Sequence, residues 1–222
     1  MEQKRKTVSF ADLTVGQFVE RLSSAEPVPG GGAASALAAA LGAGLVSMVA
    51  GLSMGRPKYS AYEATLVRAD ATGKELAAEL LTIADRDAAA YAGYSAALKL
   101  PRNTEQQMEA RLAAIRAAAR LASDAPWDCV RACRRLAEIA EALAGRSNVN
   151  ASSDVLVAAL LAEAGARGAA ENVRINLPST GDEEFSRTMS DQVDEALHDI
   201  SALASRTREI VLSERAVDPE EE

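Results

Sequence analysis

Asp87 is the acidic residue whose position along the chain most favours acid–base chemistry. It shares one predicted helix face with a set of apolar and aromatic residues, namely Leu80, Ile83, Tyr91 and Tyr94. A carboxylate on such a face must find partners or take up a proton, because burial raises its pKa and a nearby cation lowers it. Asp87 is therefore a candidate acid or base. A structural carboxylate bound to the tyrosines or to helix ends is the alternative.

A basic corner follows a long uncharged segment of the chain. Gly55 and Pro57 act against continuation of a helix, so Arg56, Lys58 and Tyr59 are predicted to lie together in a turn. These three side chains could hold an anion at the edge of a cleft. A solvated basic turn is the other interpretation.

Gly30, Gly31 and Gly32 precede a helix predicted over residues 33–54, and no charged residue occurs in residues 27–55. The first N–H groups of a helix have no internal acceptor, and the helix dipole adds partial positive charge there. This segment could therefore seat an anion or a polar ligand edge. A simple turn into a buried helix would need the same glycines.

Other polar residues complete the set of candidates. Asp154 lies in the first turn of a predicted helix, where the dipole favours a negative charge and accounts for it structurally. Asn148 lies in the linker before that helix. Asn172 lies on a small-residue face near its end, where amides suggest a buried hydrogen-bonded junction.

The elements that must position these residues are helices. The chain has 222 residues, 48% hydrophobic and only 4% aromatic, and strand-like alternation is hard to find, which favours an all-α fold. Capping signals at Thr14 with Gln17, at Thr104 with Gln107, at Ser152 or Ser153 and at Asp182 combine with periodicity to predict the helices. These run over about 14–23, 33–54, 61–98, 104–123, on to 143 after a short break or kink at Pro126, 152–176 and 183–212. We expect a single domain over residues 1–222, with a core of about 12–212 and an acidic tail at 216–222.

Charge and hydropathy exclude several classes of function. A net charge of -8 argues against nucleic acid as a partner. Residues 27–55 are long enough to span a membrane, but they lack an aromatic belt and a basic flank. A central helix, buried on all sides of a bundle, fits them better. Its stripe of small residues suggests close packing within the chain or in a dimer.

Two cysteines, Cys129 and Cys133, share one helix face. Two ligands do not make a closed zinc site, so packed, reduced thiols and no metal are expected. Reduced thiols agree with a cytoplasmic location, and no apolar signal segment follows the basic first residues.

Taken together, these residues resemble the cyclodeaminase/cyclohydrolase family of folate enzymes. The similarity covers about residues 12–212, and five motifs carry it in order: Pro29-Gly30-Gly31-Gly32, Ser47-Met48-Val49 with Gly55 through Lys58-Tyr59, Asp87 with Leu100-Pro101, the linker from Asn148 to Asp154, and Asn172-Val173 through Asn176. The chain departs from the family pattern at Arg102 and at Arg56-Pro57, where lysines are usual, and it keeps positive charge at Arg56 and Arg102.

The resemblance implies an all-helical homodimer with its active sites at or near the subunit interface, acting on a one-carbon tetrahydrofolate without a metal or other cofactor. It implies catalytic roles for Asp87, Lys58 and Asp154. It also implies substrate contacts for the residues Gly30, Gly31, Gly32, Arg56, Tyr59, Tyr91, Asn148 and Asn172.

Three functions are compatible with these residues. The first is a methenyltetrahydrofolate cyclohydrolase, which opens 5,10-methenyltetrahydrofolate to 10-formyltetrahydrofolate. The second is a formiminotetrahydrofolate cyclodeaminase, which closes the formimino group onto the ring and releases ammonia. The third is a non-catalytic helical folate-binding or scaffold protein, which would keep the glycine segment and the core stripes but would not need Asp87.

Overall fold

The computed structural model describes residues 9–213 and residue 217, and within them the chain forms a bundle of six α-helices with no strand. The helices are α1 (Val15–Leu22), α2 (Gly31–Ser53), α3 (Glu63–Leu98), α4 (Glu105–Leu143), α5 (Ser152–Asn176) and α6 (Glu183–Ser213). The predicted all-α fold is confirmed. The predicted acidic tail at 216–222 lies outside the described residues, apart from Val217.

Helix α2 is the centre of the bundle, packed between α3 and α5, which both run antiparallel to it. Glycines on the outer helices permit this close approach. A Cβ atom on Gly73 of α3 would lie 2.8 Å from the carbonyl oxygen of Ala43, and one on Gly165 of α5 would lie 2.9 Å from that of Ser35. The α2 backbone is therefore nearly in contact with the backbones of its neighbours.

One face of α2 is open, so the prediction that it is buried on all sides is wrong there. Leu41 is 65% exposed, and Met48 and Leu52 on the same face are exposed as well. Added Cβ atoms at Gly44 and Gly51 would meet nothing within 4 Å. We call this surface the open face of α2.

Capping predictions were right for α1 and α6 and only partly right elsewhere. Thr14 forms the predicted capping box with Gln17, and Asp182 accepts from the backbone N–H of Phe185 at 2.9 Å. Thr104 caps α4, but the Gln107 side chain accepts from Asn103 rather than completing the box. Helix α5 begins after a turn at Val149–Ala151, so neither Ser152 nor Ser153 is its cap.

Of the short break or kink expected at Pro126, the break is absent, since α4 runs unbroken through a buried proline. Proline removes one helical hydrogen bond and displaces the carbonyl four residues earlier, which here is that of Ala122. That carbonyl receives a hydrogen bond from the side chain of Asn176 instead, at 2.9 Å. The replaced bond and the surrounding core allow the helix to continue.

Two helical segments, Gly31–Ser53 and Val149–Thr180, are long and apolar enough to cross a membrane. Both pack in the centre of the bundle, and their inward faces are covered by other helices. Core helices rich in alanine satisfy the same criterion of length and composition, which accounts for both segments.

Candidate functional site

A cavity of about 370 Å³ lies at the first turn of α2. The glycine segment before α2 forms one side, α3 contributes Asp87 and two tyrosines, and the end of α5 contributes two asparagines. We call it the Asp87 cavity, and its walls include Gly30, Gly31, Gly32, Asp87, Tyr91, Tyr94, Ala122, Asn172, Ile175 and Asn176.

The Asp87 carboxylate lies directly against the backbone of α2. A Cβ atom on Gly32 would overlap both carboxylate oxygens, so only glycine leaves room for Asp87 at this position. The backbone N–H of Ala33 donates a hydrogen bond to the carboxylate. Desolvation nevertheless raises the pKa of Asp87, and the Ala33 N–H only partly offsets it. The site therefore holds a carboxyl group that accepts protons more readily than an exposed one.

Asp85, two residues earlier, has a different role. Its carboxylate accepts hydrogen bonds from the Ser9 hydroxyl and from the backbone N–H of Phe10, the latter at 2.8 Å. These bonds attach the turn at Phe10–Asp12 to α3. Asp85 is thus engaged structurally, whereas no side chain among the described residues forms a hydrogen bond or ion pair with Asp87.

Apolar and aromatic groups complete the walls of the cavity. Tyr91 is 43% exposed and Ile175 is exposed too, so both offer surface to a ligand. The Tyr94 hydroxyl is 3.0 Å from that of Ser179, which orients the ring. Such walls suit a flat ring that also has polar groups.

The remaining predicted residues lie at the opposite end of α2. Arg56, Lys58 and Tyr59 follow its last turn, and Asn148 and Asp154 lie beside them at the start of α5. A helix of 23 residues is about 34 Å long. One chain therefore brings Gly30, Gly31, Gly32, Asp87, Tyr91 and Asn172 together and keeps the second group far from them.

Polar groups at this second end are largely engaged. The Asn148 backbone N–H donates to Ser53 Oγ at 2.8 Å, and its side chain accepts from the backbone of Asn150. Buried Tyr59 accepts from the backbone N–H of Val149 at 3.3 Å. Arg56 and Lys58 are exposed, and the Lys58 ammonium lies 5.5 Å from the centre of the Tyr59 ring.

Two residues with polar side chains in the Asp87 cavity, Tyr94 and Asn176, were not among the predicted site residues. Both had a signal in the sequence, because each lies one helical turn from a predicted site residue on the same face. Within residues 9–213 and 217, no three His, Cys, Asp or Glu side chains are placed to hold a metal ion.

A desolvated carboxyl group in a small cavity of a helical bundle is typical of an enzyme site for acid–base catalysis on a small molecule. The chain belongs to the formiminotransferase-cyclodeaminase family, whose model matches residues 14–195.

The chain resembles two kinds of relative, one named as a cyclohydrolase and the others as cyclodeaminases. It is 38% identical over 200 residues to the methenyltetrahydrofolate cyclohydrolase of Methylorubrum extorquens, covering 90% of this chain and 96% of that one. It is 32% identical to the formimidoyltransferase-cyclodeaminase of Rattus norvegicus over 89% of this chain but 36% of the relative. The crystal structure of formiminotetrahydrofolate cyclodeaminase from Thermotoga maritima superposes with a TM-score of 0.83 at 27% identity, over 91% of this chain and 98% of that one.

Proposed function

We propose that this protein hydrolyses 5,10-methenyltetrahydrofolate to 10-formyltetrahydrofolate. The observation that carries the proposal is the Asp87 carboxyl group, desolvated against the first turn of α2 in a cavity large enough for a reduced pterin ring. The similarity to a methenyltetrahydrofolate cyclohydrolase extends over nearly the full length of both chains and supports it.

Asp87 would act on the positively charged methenyl carbon. Its carboxylate would attract the delocalised cation and accept one proton from the attacking water as the new C–O bond forms. The same proton would then pass to ring nitrogen N5 as the C–N5 bond breaks. The hydroxyl proton leaves to solvent as the formyl group on N10 forms. General acid–base catalysis of this kind contributes about 10²–10⁴-fold to a rate.

Backbone groups at the start of α2 would assist. The N–H of Ala33 is bonded to Asp87, whereas the N–H groups of Gly31 and Gly32 donate to no acceptor among the described residues. They are available to a carbonyl or hydroxyl oxygen that develops negative charge as the ring opens. The reaction as written uses water and proton transfers and no cofactor.

Absorbance of the methenyl group provides the test. Purified protein added to 5,10-methenyltetrahydrofolate should remove the ultraviolet chromophore faster than buffer does, and 10-formyltetrahydrofolate should accumulate. An unchanged decay rate at micromolar protein would contradict the proposal.

A formiminotetrahydrofolate cyclodeaminase is the second candidate, favoured by the similarity in fold to the Thermotoga maritima enzyme. In this reaction Asp87 would protonate the leaving ammonia as the methenyl bridge closes. Adding 5-formiminotetrahydrofolate should then generate the chromophore and release ammonia. The two assays separate the candidates because the absorbance changes in opposite directions.

We also propose that the chain forms a cytoplasmic homodimer through the open face of α2. That face is uncharged along its whole length, and its exposed glycines allow a second helix to approach closely. A two-fold axis near Gly44 would pair two α2 helices antiparallel. Each Asp87 cavity would then meet Arg56 and Lys58 of the partner, so opposite charges would face each other at both ends.

Light scattering tests this arrangement directly. The particle mass should be twice the chain mass of 23.2 kDa at micromolar concentration. Leu41→Asp places a charge at the centre of the open face, away from the Asp87 cavity, and should give folded monomers. A wild-type monomer across that concentration range would contradict the dimer.

A further inference from the structure

The side-chain amide of Asn176 is held by two carbonyl oxygens. Its Nδ2 atom is 2.9 Å from the carbonyl of Ala122 in α4 and 2.9 Å from that of Asn172 in its own helix. A carbonyl oxygen only accepts hydrogen bonds, so the atom between the two must be the amide nitrogen. The surrounding backbone thus determines which way the amide faces.

Pro126 makes one of these two acceptors available. It lies inside α4 and has no N–H, so the carbonyl of Ala122 has no helical donor, and the proline ring displaces that carbonyl from the helix. Asn176 supplies the missing donor. A proline in one helix thereby fixes the orientation of an amide in another.

The amide oxygen of Asn176 is left for the Asp87 cavity. Both N–H bonds of Asn176 are used, and no described residue donates to its Oδ1 atom. Every buried side-chain nitrogen or oxygen among the described residues has a partner, so this unpartnered oxygen must be open to a space. Asn176 is one of the residues that line the Asp87 cavity.

Asn172 presents a second oxygen one helical turn away. Its Nδ2 atom donates to the carbonyl of Gly168 at 2.8 Å, and its Oδ1 atom likewise receives no hydrogen bond from a described residue. The wall formed by α5 therefore offers two amide oxygens as acceptors, and Asn172 keeps one N–H that no described residue accepts. A ligand that presents two adjacent N–H donors matches this wall.

We propose, on the basis of the proposed function, that Asn176 together with Asn172 accepts hydrogen bonds from the 2-amino group and adjacent N3–H of the reduced pterin ring. Asn176 is thus a specificity-determining residue. A ring of the same shape without the amino group leaves a fixed oxygen unpaired in the cavity. A site built on hydrogen bonds rejects such an analogue more strongly than shape alone would.

Calorimetric titration of two probes tests the inference. The probes are 5-formyltetrahydrofolate and its 2-desamino-2-methyl analogue, titrated into the wild type, Asn172→Ala, Asn176→Ala and the control Asn103→Ala, an exposed asparagine outside the cavity. The wild type should bind the amino compound about tenfold more tightly than the analogue, as expected for one or two hydrogen bonds. Asn176→Ala should lose that preference, and Asn103→Ala should keep it.

The analogue separates recognition from structural damage. Asn176→Ala also removes a bond between α4 and α5, which would weaken both probes equally. Asn172→Ala removes only a bond within its own helix, so it should fold even if Asn176→Ala does not, and it should also reduce the preference. Equal losses for both probes, or a wild type that binds them equally, would overturn the inference. A wild type that binds neither probe would overturn the proposed function itself.

Discussion

At the first turn of α2 the Asp87 carboxylate is desolvated and accepts a hydrogen bond from the backbone N–H of Ala33. Beyond the last turn, by contrast, Arg56 and Lys58 are exposed to solvent, and the side chains of Tyr59 and Asn148 beside them are already hydrogen-bonded. The macrodipole favours both placements, since it is positive near Asp87 and negative near Arg56 and Lys58. The first end therefore has a carboxyl group in a cavity without a side-chain partner, and the second end has two cations that face solvent.

This difference indicates separate roles for the two ends. A desolvated carboxyl group with a raised pKa is suited to proton transfer, so chemistry is assigned to the end with Asp87. Exposed cations at the ends of long side chains attract and hold an anion but do not exclude water. In the proposed dimer, Arg56 and Lys58 are thus suited to holding an anionic part of the substrate at the partner's cavity.

The largest expected effect is that of Asp87→Asn, which keeps the shape of the side chain and removes the base. We expect turnover of 5,10-methenyltetrahydrofolate to fall about 10²-fold or more, the usual size of acid–base catalysis. Asp85→Asn is the matched control, because that carboxylate binds Ser9 and Phe10 instead. Asp85→Asn should lower the thermal midpoint while its folded fraction turns over normally. Near wild-type turnover in Asp87→Asn would contradict the assignment of chemistry to this end.

Asp87→Asn should raise the stability of the protein although it lowers turnover. The pKa of Asp87 is raised in the folded state, so the ionised carboxylate destabilises the fold. This penalty begins as the pH rises above the ordinary pKa of 3.8, and it is complete once the pH exceeds the raised pKa. Asp87→Asn should therefore unfold at a higher temperature than the wild type near pH 7. The gap should close as the pH falls below 3.8. Scanning calorimetry of both proteins across this range measures it, and a gap independent of pH would contradict the desolvation of Asp87.

The next effect is that of Gly32→Ala, which tests whether close packing at the first end matters. The new Cβ atom would overlap the Asp87 carboxylate and force it away from the first turn of α2. A loss of about tenfold to a hundredfold in turnover is expected, because small displacements of a catalytic group cost this much. Gly93→Ala in α3 is the control, since its Cβ atom would meet nothing within 4 Å. Equal turnover in the two variants would show that Asp87 has no fixed position.

Much of this comparison could be predicted from the sequence. Helical spacing placed Asp87 on a core-facing stripe, and absence of charge placed α2 at the centre. The separation of the two ends was also implicit, because Gly32 and Lys58 flank a helix too long for them to meet within one chain. The resemblance grouped Asp87, Lys58 and Asp154 as catalytic residues without saying whether one chain brings them together, because the order of motifs along a chain gives no information about distance.

Other features depended on contacts that no local pattern encodes. The open face of α2 is as free of charge as its buried faces, so periodicity could not distinguish them. The continuous helix through Pro126 depends on Asn176, which is 54 residues away from Ala122 in the chain. The structural use of Asp85 depends on Ser9 and Phe10 near the start of the chain.

A smaller effect is expected from Lys58→Ala at the second end. Removing an exposed cation that holds an anion should raise KM about tenfold and change kcat less, as expected for a charged hydrogen bond. Folding should be unaffected, since Lys58 makes no ion pair among the described residues. An unchanged KM would assign Lys58 to a solvated turn.

Mixing variants tests whether the two ends work together across the dimer. After equal amounts of Lys58→Ala and Asp87→Asn subunits exchange, one of the two sites in each mixed dimer would contain both native residues. With substrate well below KM, turnover should rise from about a twentieth of the wild-type value before exchange to about a quarter after it, by statistical pairing of a two-fold dimer. If each site used both residues from one chain, exchange would leave turnover unchanged. This outcome would contradict the antiparallel pairing of α2 helices.

The smallest expected effect is that of Pro126→Ala, which changes the first end without touching the ligand. The new backbone N–H can donate to the carbonyl of Ala122 and so compete with Asn176 for it. A carbonyl oxygen has two lone pairs, so Asn176 should be loosened rather than expelled. Binding of 5-formyltetrahydrofolate should weaken only about twofold to threefold, a fraction of one hydrogen bond. The preference over the 2-desamino-2-methyl analogue should fall by the same factor, because binding of the analogue does not depend on this amide oxygen.

The thermal midpoint of Pro126→Ala should hold or rise, since alanine favours a helix interior by about 3 kcal/mol over proline. Calorimetric titration and thermal unfolding of one preparation give both values. Weaker binding of both probes by the same factor would mean that Pro126 acts through the packing of α4 and not through the orientation of Asn176.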